Sequence, residues 1–109
     1  MNLTITGRHF EISEALRKHI ETKFKKIMNH FDHVIDARFI LSVEKLNNII
    51  DATIHLPHLD INAKSIDDDM YKSVDLVIYK LDRQVLKYKE KYKDHHQAEG
   101  SIKHNSSKQ

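Results

Sequence analysis

Ile35-Asp36-Ala37-Arg38-Phe39-Ile40-Leu41-Ser42-Val43-Glu44 is the stretch that decides the fold. Ile35, Ala37, Phe39, Leu41 and Val43 fall on one side at a period of two, the spacing of a strand with one buried face. Leu46-Asn47-Asn48 reads as a turn, after which Ala52, Ile54 and Leu56 resume the alternation against Asp51, Thr53 and His55. Beyond Pro57-His58, Leu59, Ile61 and Ala63 alternate with Asp60, Asn62 and Lys64 and predict a further strand. Three strands joined by short turns make an antiparallel meander.

Upstream of this meander the period changes. Leu16, Ile20, Phe24, Ile27, Met28 and Phe31 recur at helical spacing, with Ser13 placed as N-cap and Glu14 in the first turn, so a helix is expected over about 13–31. Before it, Leu3 and Ile5 alternate with Asn2, Thr4 and Thr6 as a short strand ending at Gly7. Downstream, Asp67 is placed to cap a second helix, with Asp68 and Asp69 at the positive end of its dipole. Met70, Tyr71, Val74, Val77, Ile78, Leu81, Val85, Tyr88 and Tyr92 form its apolar stripe, and its end is expected near Asp94.

The expected architecture is therefore α+β, in the order β-α-β-β-β-α. The first two strands are joined by a helical crossover and should be parallel, which gives a four-stranded mixed sheet. Each strand has one apolar face, so both helices must pack on the same side of the sheet. The opposite face would carry Thr4, Arg38, Ser42, Thr53, His55, Asn62 and Lys64. Residues 1–94 form one domain, and the polar, aperiodic stretch 95–109 reads as a disordered tail.

At 109 residues, 39% hydrophobic and 31% charged, the chain can build a single core and is too apolar for full disorder. With no cysteine, disulfides and thiolate metal sites are excluded. No apolar run approaches the roughly 20 residues of a membrane span, and the N-terminus lacks the apolar segment of a signal peptide, so a cytoplasmic protein is expected. Nine histidines invite a metal reading, but neither His30 with His33 nor His95-His96 has a third ligand at a known spacing. With only Gly7 and Gly100, the chain holds no glycine-rich phosphate cradle, and no nucleophile motif is present. The sequence is read as that of a non-enzyme with no cofactor, no metal and no small-molecule substrate.

Charge distribution is more informative than the net +2. Lys80, Arg83, Lys87 and Lys91 are separated by steps of three, four and four, which place them on one side of the second helix, roughly opposite its apolar stripe. Such a row can follow a phosphate backbone, each contact releasing counterions. It could equally be an ordinary solvated face, although only Glu90 and Asp94 lie near enough to offset it. The first helix repeats the pattern, with Lys23 and Lys26 sharing a flank with His19 and His30. Two basic helices side by side would present one broad positive surface. Tyr71, Tyr88 and Tyr92 fall on the core stripe, whereas Tyr79 lies off it and is the better candidate for stacking on a base.

The chain also resembles a known family. MNLTITGRHFEISEALR, FDHVIDARFILSVEKL, DATIHLP and DDDMYKSVDLVIYKLDRQVLKYKEK look like the short ribosome hibernation promoting factors, with the ribosome-associated inhibitor as a sibling type. The most telling pieces are Leu41-Ser42-Val43-Glu44-Lys45, Asp51-Ala52-Thr53, Asp69-Met70-Tyr71 and Lys80-Leu81-Asp82-Arg83-Gln84, in order over about residues 1–94. The chain departs at Pro57-His58-Leu59, where the family often has Gly-Gly, and at Lys72-Ser73, where two small residues are common.

The resemblance implies a domain that occupies the channel of the small ribosomal subunit and overlaps the sites of messenger and transfer RNA. It further implies that Lys80, Arg83 and Lys87, with Lys23 and Lys26, touch 16S rRNA, and that whole 70S and paired ribosomes are partners of a chain that is monomeric when free. Hibernation under nutrient limitation would be the setting. Two other readings stay open at this point. One is a general double-stranded-RNA binder, whose α-β-β-β-α order lacks the first strand. The other is a protein-interaction module that uses the exposed sheet face.

Overall fold

The computed structural model describes residues 2–101, with side chains over 2–91. The elements follow in the order β1 (Asn2–Arg8), α1 (Glu14–His30), β2 (Asp36–Glu44), β3 (Asn47–His55), β4 (Asp60–Asp67) and α2 (Met70–Ser101). They build the expected α+β fold: one four-stranded sheet in the order β1-β2-β3-β4. β1 runs parallel to β2 with Ile5 beside Phe39, and the remaining pairs are antiparallel.

The register puts the apolar residues on one face. Ala37, Phe39 and Leu41 pair with Ile54, Ala52 and Ile50, and Ile61 and Ala63 continue the row on β4. All are buried, and they form one cluster with Leu16, Ile20, Phe24 and Ile27 of α1 and Val74, Val77, Ile78, Leu81 and Val85 of α2. Both helices thus cover the same face. Phe24 meets Phe39 edge to face at 6.0 Å, which locks α1 to the middle of the sheet. The pattern weakens at the ends of β2, where Ile35 and Val43 are half exposed.

Ser13 caps α1 as its position suggests: its Oγ accepts from the Leu16 amide at 3.1 Å. Gly7 is required by close approach, because a Cβ there would collide with the Phe10 carbonyl oxygen in the turn leading to α1.

Several boundaries differ from expectation, each for a local reason. The β2–β3 reversal falls at Lys45-Leu46, since pairing Leu41 with Ile50 forces Glu44 opposite Asn47. Lys45 takes a φ of 58°, the positive value that two-residue hairpins need, and Asn47 and Asn48 join the ladder instead. The β3–β4 turn at Pro57-His58 is closed by Leu56 N–H to Leu59 O at 2.8 Å, and Leu59 lies outside the strand and half exposed.

Asp67 does not cap α2; it pairs with Asn48 as the last residue of β4. Its Oδ1 accepts from the Asp69 amide, and Asp69 is the true cap, its Oδ1 accepting from Tyr71 N–H at 2.9 Å. Ser73, at one of the positions that departs from the resembled family, is fully buried. Its hydroxyl donates to Asn48 O at 3.0 Å and lies 2.7 Å from the Ser65 hydroxyl, tying the start of α2 to β3 and β4. At the other end α2 runs past Asp94 to Ser101, so the first part of the expected tail is helical. Gln97, Ala98 and Glu99 are good helix formers, and extending an existing helix needs no new nucleus. Residues 102–109 of that expected tail lie outside the described residues.

Candidate nucleic-acid interface

Burial of Val74, Val77, Ile78, Leu81 and Val85 fixes the rotation of α2 about its axis. That rotation turns Lys80, Arg83, Gln84 and Lys87 toward β4, the outermost strand on this side of the sheet. Together with Asn62 and Ala63 they line an open groove of about 440 Å³. Three of the four row residues therefore share one concave surface, in which no carboxylate appears among the lining residues. Lys91 follows one turn beyond Lys87 on the same flank and is exposed.

Two of the groove side chains also serve the strand beneath them. Lys80 Nζ donates to Lys64 O at 2.8 Å, and Gln84 Nε2 donates to Asn62 O at 3.0 Å. Both carbonyls belong to an outer strand, so these bonds occupy acceptors that would otherwise face open solvent. The row is thus tilted onto the flank of the sheet, reaching further round than a position opposite the apolar stripe.

Lys23 and Lys26 sit elsewhere. They line a second, smaller groove of about 150 Å³ between the helices, with Asp75, Ile78, Tyr79 and Asp82 on the α2 side. The expected single positive surface is therefore divided. His19 Nε2 lies 2.9 Å from Asp75 Oδ1 and His30 Nδ1 lies 2.8 Å from Asp82 Oδ1, a pair of bridges that stitches the helices together. Lys23 Nζ approaches the same Asp75 oxygen at 4.0 Å. Exposed pairs of this kind contribute at most about 1 kcal/mol each, but their carboxylates partly offset Lys23 and Lys26. The groove beside β4 is the one whose cations have no carboxylate in the lining.

Tyr79 and Arg83 connect the two grooves. The Arg83 guanidinium lies over the Tyr79 ring at 5.8 Å from its centroid, a cation–π arrangement. Arg83 lines the first groove, Tyr79 lines the second, and the tyrosine is 60% exposed. Tyr71 meets His19 edge to face, and Tyr88 packs on Phe31 at 5.4 Å, so Tyr88 is a packing residue as expected. Tyr92 lies beyond the described side chains.

Around Asn62 and His55 the outer sheet face is bonded to itself. Asn62 Nδ2 lies 2.9 Å from Asp51 Oδ1, 2.9 Å from Ala52 O and 3.1 Å from Thr53 Oγ1. His55 bridges Asp60, at 2.6 Å from Nδ1, and Asp36, at 3.5 Å from Nε2. The hydrogen bond to Asp60 holds the His55 ring above its usual protonation range, with the Asp36 carboxylate adding to the effect. Among the described residues no group of three or more His, Cys, Asp or Glu side chains is placed to hold a metal ion, and no helix is long and apolar enough to cross a membrane.

The sequence pointed to all six basic residues but to neither carboxylate of the inter-helix seam. His19 and Asp75 are 56 positions apart, and His30 and Asp82 are 52 apart, too distant for spacing to reveal. Gln84 carried no signal beyond its neighbourhood.

The chain is similar to several known proteins. A factor named ribosome hibernation promoting factor in Salmonella typhimurium is 42% identical over 95 residues, covering 87% of this chain and all of that protein. One of the same name in Azotobacter vinelandii is 36% identical, covering 91% of this chain and 92% of its own. Among solved structures, a ribosomal subunit interface protein from Coxiella burnetii superimposes with a TM-score of 0.78 at 42% identity, covering 82% of this chain and 98% of that one. The N-terminal domain of Protein Y from Thermus thermophilus gives 0.75 at 26% identity, covering 81% and 99%. The model of the Sigma 54 modulation protein / S30EA ribosomal protein family matches residues 3–93, and the chain belongs to that family.

Proposed function

We propose that this protein is a ribosome hibernation factor that binds the small subunit through rRNA and blocks the decoding channel by occupying it. The observation that carries the reading is the groove beside β4, where Lys80, Arg83 and Lys87 converge with no carboxylate in the lining. The names of the relatives support the ribosome as target, and the pattern of cations supports phosphate as the group recognised. Lys91 extends the phosphate track along α2, and Lys23 and Lys26 supply a second anchor across the inter-helix seam. The mechanism is steric: a rigid wedge held by charge, with no covalent step and no cofactor. The setting is the cytoplasm of nutrient-limited cells, and the consequence is inactive ribosomes that pair into dimers.

Residues 1–94 carry this activity in the proposal, and the remainder is dispensable. Sedimentation of ribosomes from starved cells tests both points, using the full chain and a truncation after Asp94. Dimers with both forms are expected. Loss of dimers only in the truncated strain would show that the tail is needed. Protein that fails to travel with ribosomal particles in either strain would end the reading.

A further inference from the structure

The groove between the helices holds chemistry that phosphate binding alone does not use. Lys23 and Lys26 can meet phosphates, but an exposed aromatic ring and two carboxylates line the same space. For phosphates Asp75 and Asp82 are unfavourable neighbours, although each also bridges to a histidine of α1. Tyr79 is 60% exposed although the Arg83 guanidinium lies over its ring, so the other side of the ring is open. The groove is small, about 150 Å³, on the scale of one heteroaromatic ring system. A base that enters must be unpaired, as in the single-stranded and looped regions where RNA is read by sequence.

Asp75 chooses the base. Its side chain is 52% exposed, its Oδ1 already faces His19, and a carboxylate can accept hydrogen bonds but not donate them. Guanine offers two adjacent donors on its Watson–Crick edge, N1–H and the 2-amino group. Adenine offers one amino group beside a lone pair that would face the carboxylate. We infer that the groove takes one unpaired guanine of single-stranded RNA, stacked between the open side of Tyr79 and solvent. Its N1–H and amino group donate to Asp75, and its flanking phosphates meet Lys23 and Lys26. This rests on the RNA-binding reading above and adds to it a base preference and a separate subsite.

The test uses the full chain and fluorescein-labelled uridine strands of about seven nucleotides, a length typical of single-strand sites, carrying a central guanine, adenine or inosine. Anisotropy at low salt should show about tenfold tighter binding for guanine than for adenine, the scale of one added hydrogen bond to a charged group. Inosine, which lacks the 2-amino group, should fall between. Tyr79→Leu should remove the preference and Tyr79→Phe should keep it. Asp75→Asn should also remove it, without weakening the adenine strand, since a negative charge has been lost. A Lys80→Ala, Lys87→Ala double variant should weaken every strand alike and leave the ratio intact. Equal binding of guanine and adenine strands by the wild type would overturn the inference. So would a guanine preference that survives both Tyr79→Leu and Asp75→Asn. Circular dichroism of each variant separates these results from unfolding. Because the ratio reports the inter-helix groove and the double variant reports the groove beside β4, either reading can fail without the other.

Discussion

Replacing Lys80, Arg83 and Lys87 together by alanine empties the groove beside β4 of its cations while leaving the core untouched. Each charge-assisted contact to a phosphate contributes about 1 kcal/mol net, so the triple variant should lose about 3 kcal/mol of subunit affinity, roughly 150-fold. Salt supplies an independent measure. With four to six phosphates neutralised, wild-type affinity should fall by about two to three decades between about 50 and about 200 mM salt. Removing three contacts should reduce the log–log slope by about two to three units, at about 0.7–0.9 per phosphate. Folding should shift by no more than about 0.5 kcal/mol, because the three side chains are exposed and water can replace Lys80 at the Lys64 carbonyl. Filter binding of labelled protein to purified small subunits across a salt series gives both quantities, with urea unfolding as the stability control. The comparison variant is Lys45→Ala with Lys64→Ala, which removes two charges from the hairpin turn and the outer sheet face. If that pair costs as much as the row, or if the triple variant keeps the wild-type slope, the groove beside β4 is not where phosphates bind.

Two further outcomes concern the scaffold. Gly7→Ala should destabilise the fold by about 1–3 kcal/mol in urea unfolding, the usual cost of overpacking, because its methyl group meets backbone at Phe10 that no rotamer change can move. For His55, whose protonation is favoured in the native state by Asp60 and Asp36, the sign follows from linkage. Its contribution is fully present below its ordinary value of 6.5 and is lost as pH rises through the higher native value. Asp60→Asn should therefore lower the urea midpoint more at about pH 5.5 than at about pH 8, and it should bring the NMR titration of His55 back toward the ordinary range.

The parts of this protein that were legible in the sequence are those governed by local periodicity. The alternation of Ala37, Phe39 and Leu41 names a strand and its buried face, and Ser13 marks a helix start that the Leu16 amide confirms. The row at Lys80, Arg83 and Lys87 is legible for the same reason, since helical spacing alone sets a common flank. What escaped depends on elements meeting in space. Turn propensity favoured Leu46-Asn47-Asn48, but the reversal was decided by the need to stack Leu41 on Ile50. Asp67 is as good a cap as Asp69 by residue type, and only its pairing with Asn48 rules it out. The end of α2 escaped because the stretch after Asp94 lacks an apolar stripe, while helix propagation needs only continued backbone bonding. The division of the basic surface came from Asp75 and Asp82, whose partners lie on the other helix.

The bonds that Lys80 and Gln84 make to the last strand bear on how the molecule behaves in company. A bare strand margin is a template on which a second sheet can pair. Here two carbonyls of that margin are held by side chains of α2. An ammonium has three hydrogens, and the Lys64 carbonyl takes one. Lys80 can therefore turn its remaining donors to a phosphate without lifting off the strand. One side chain of α2 thus both closes an acceptor on the β4 margin and keeps donors free for an anion.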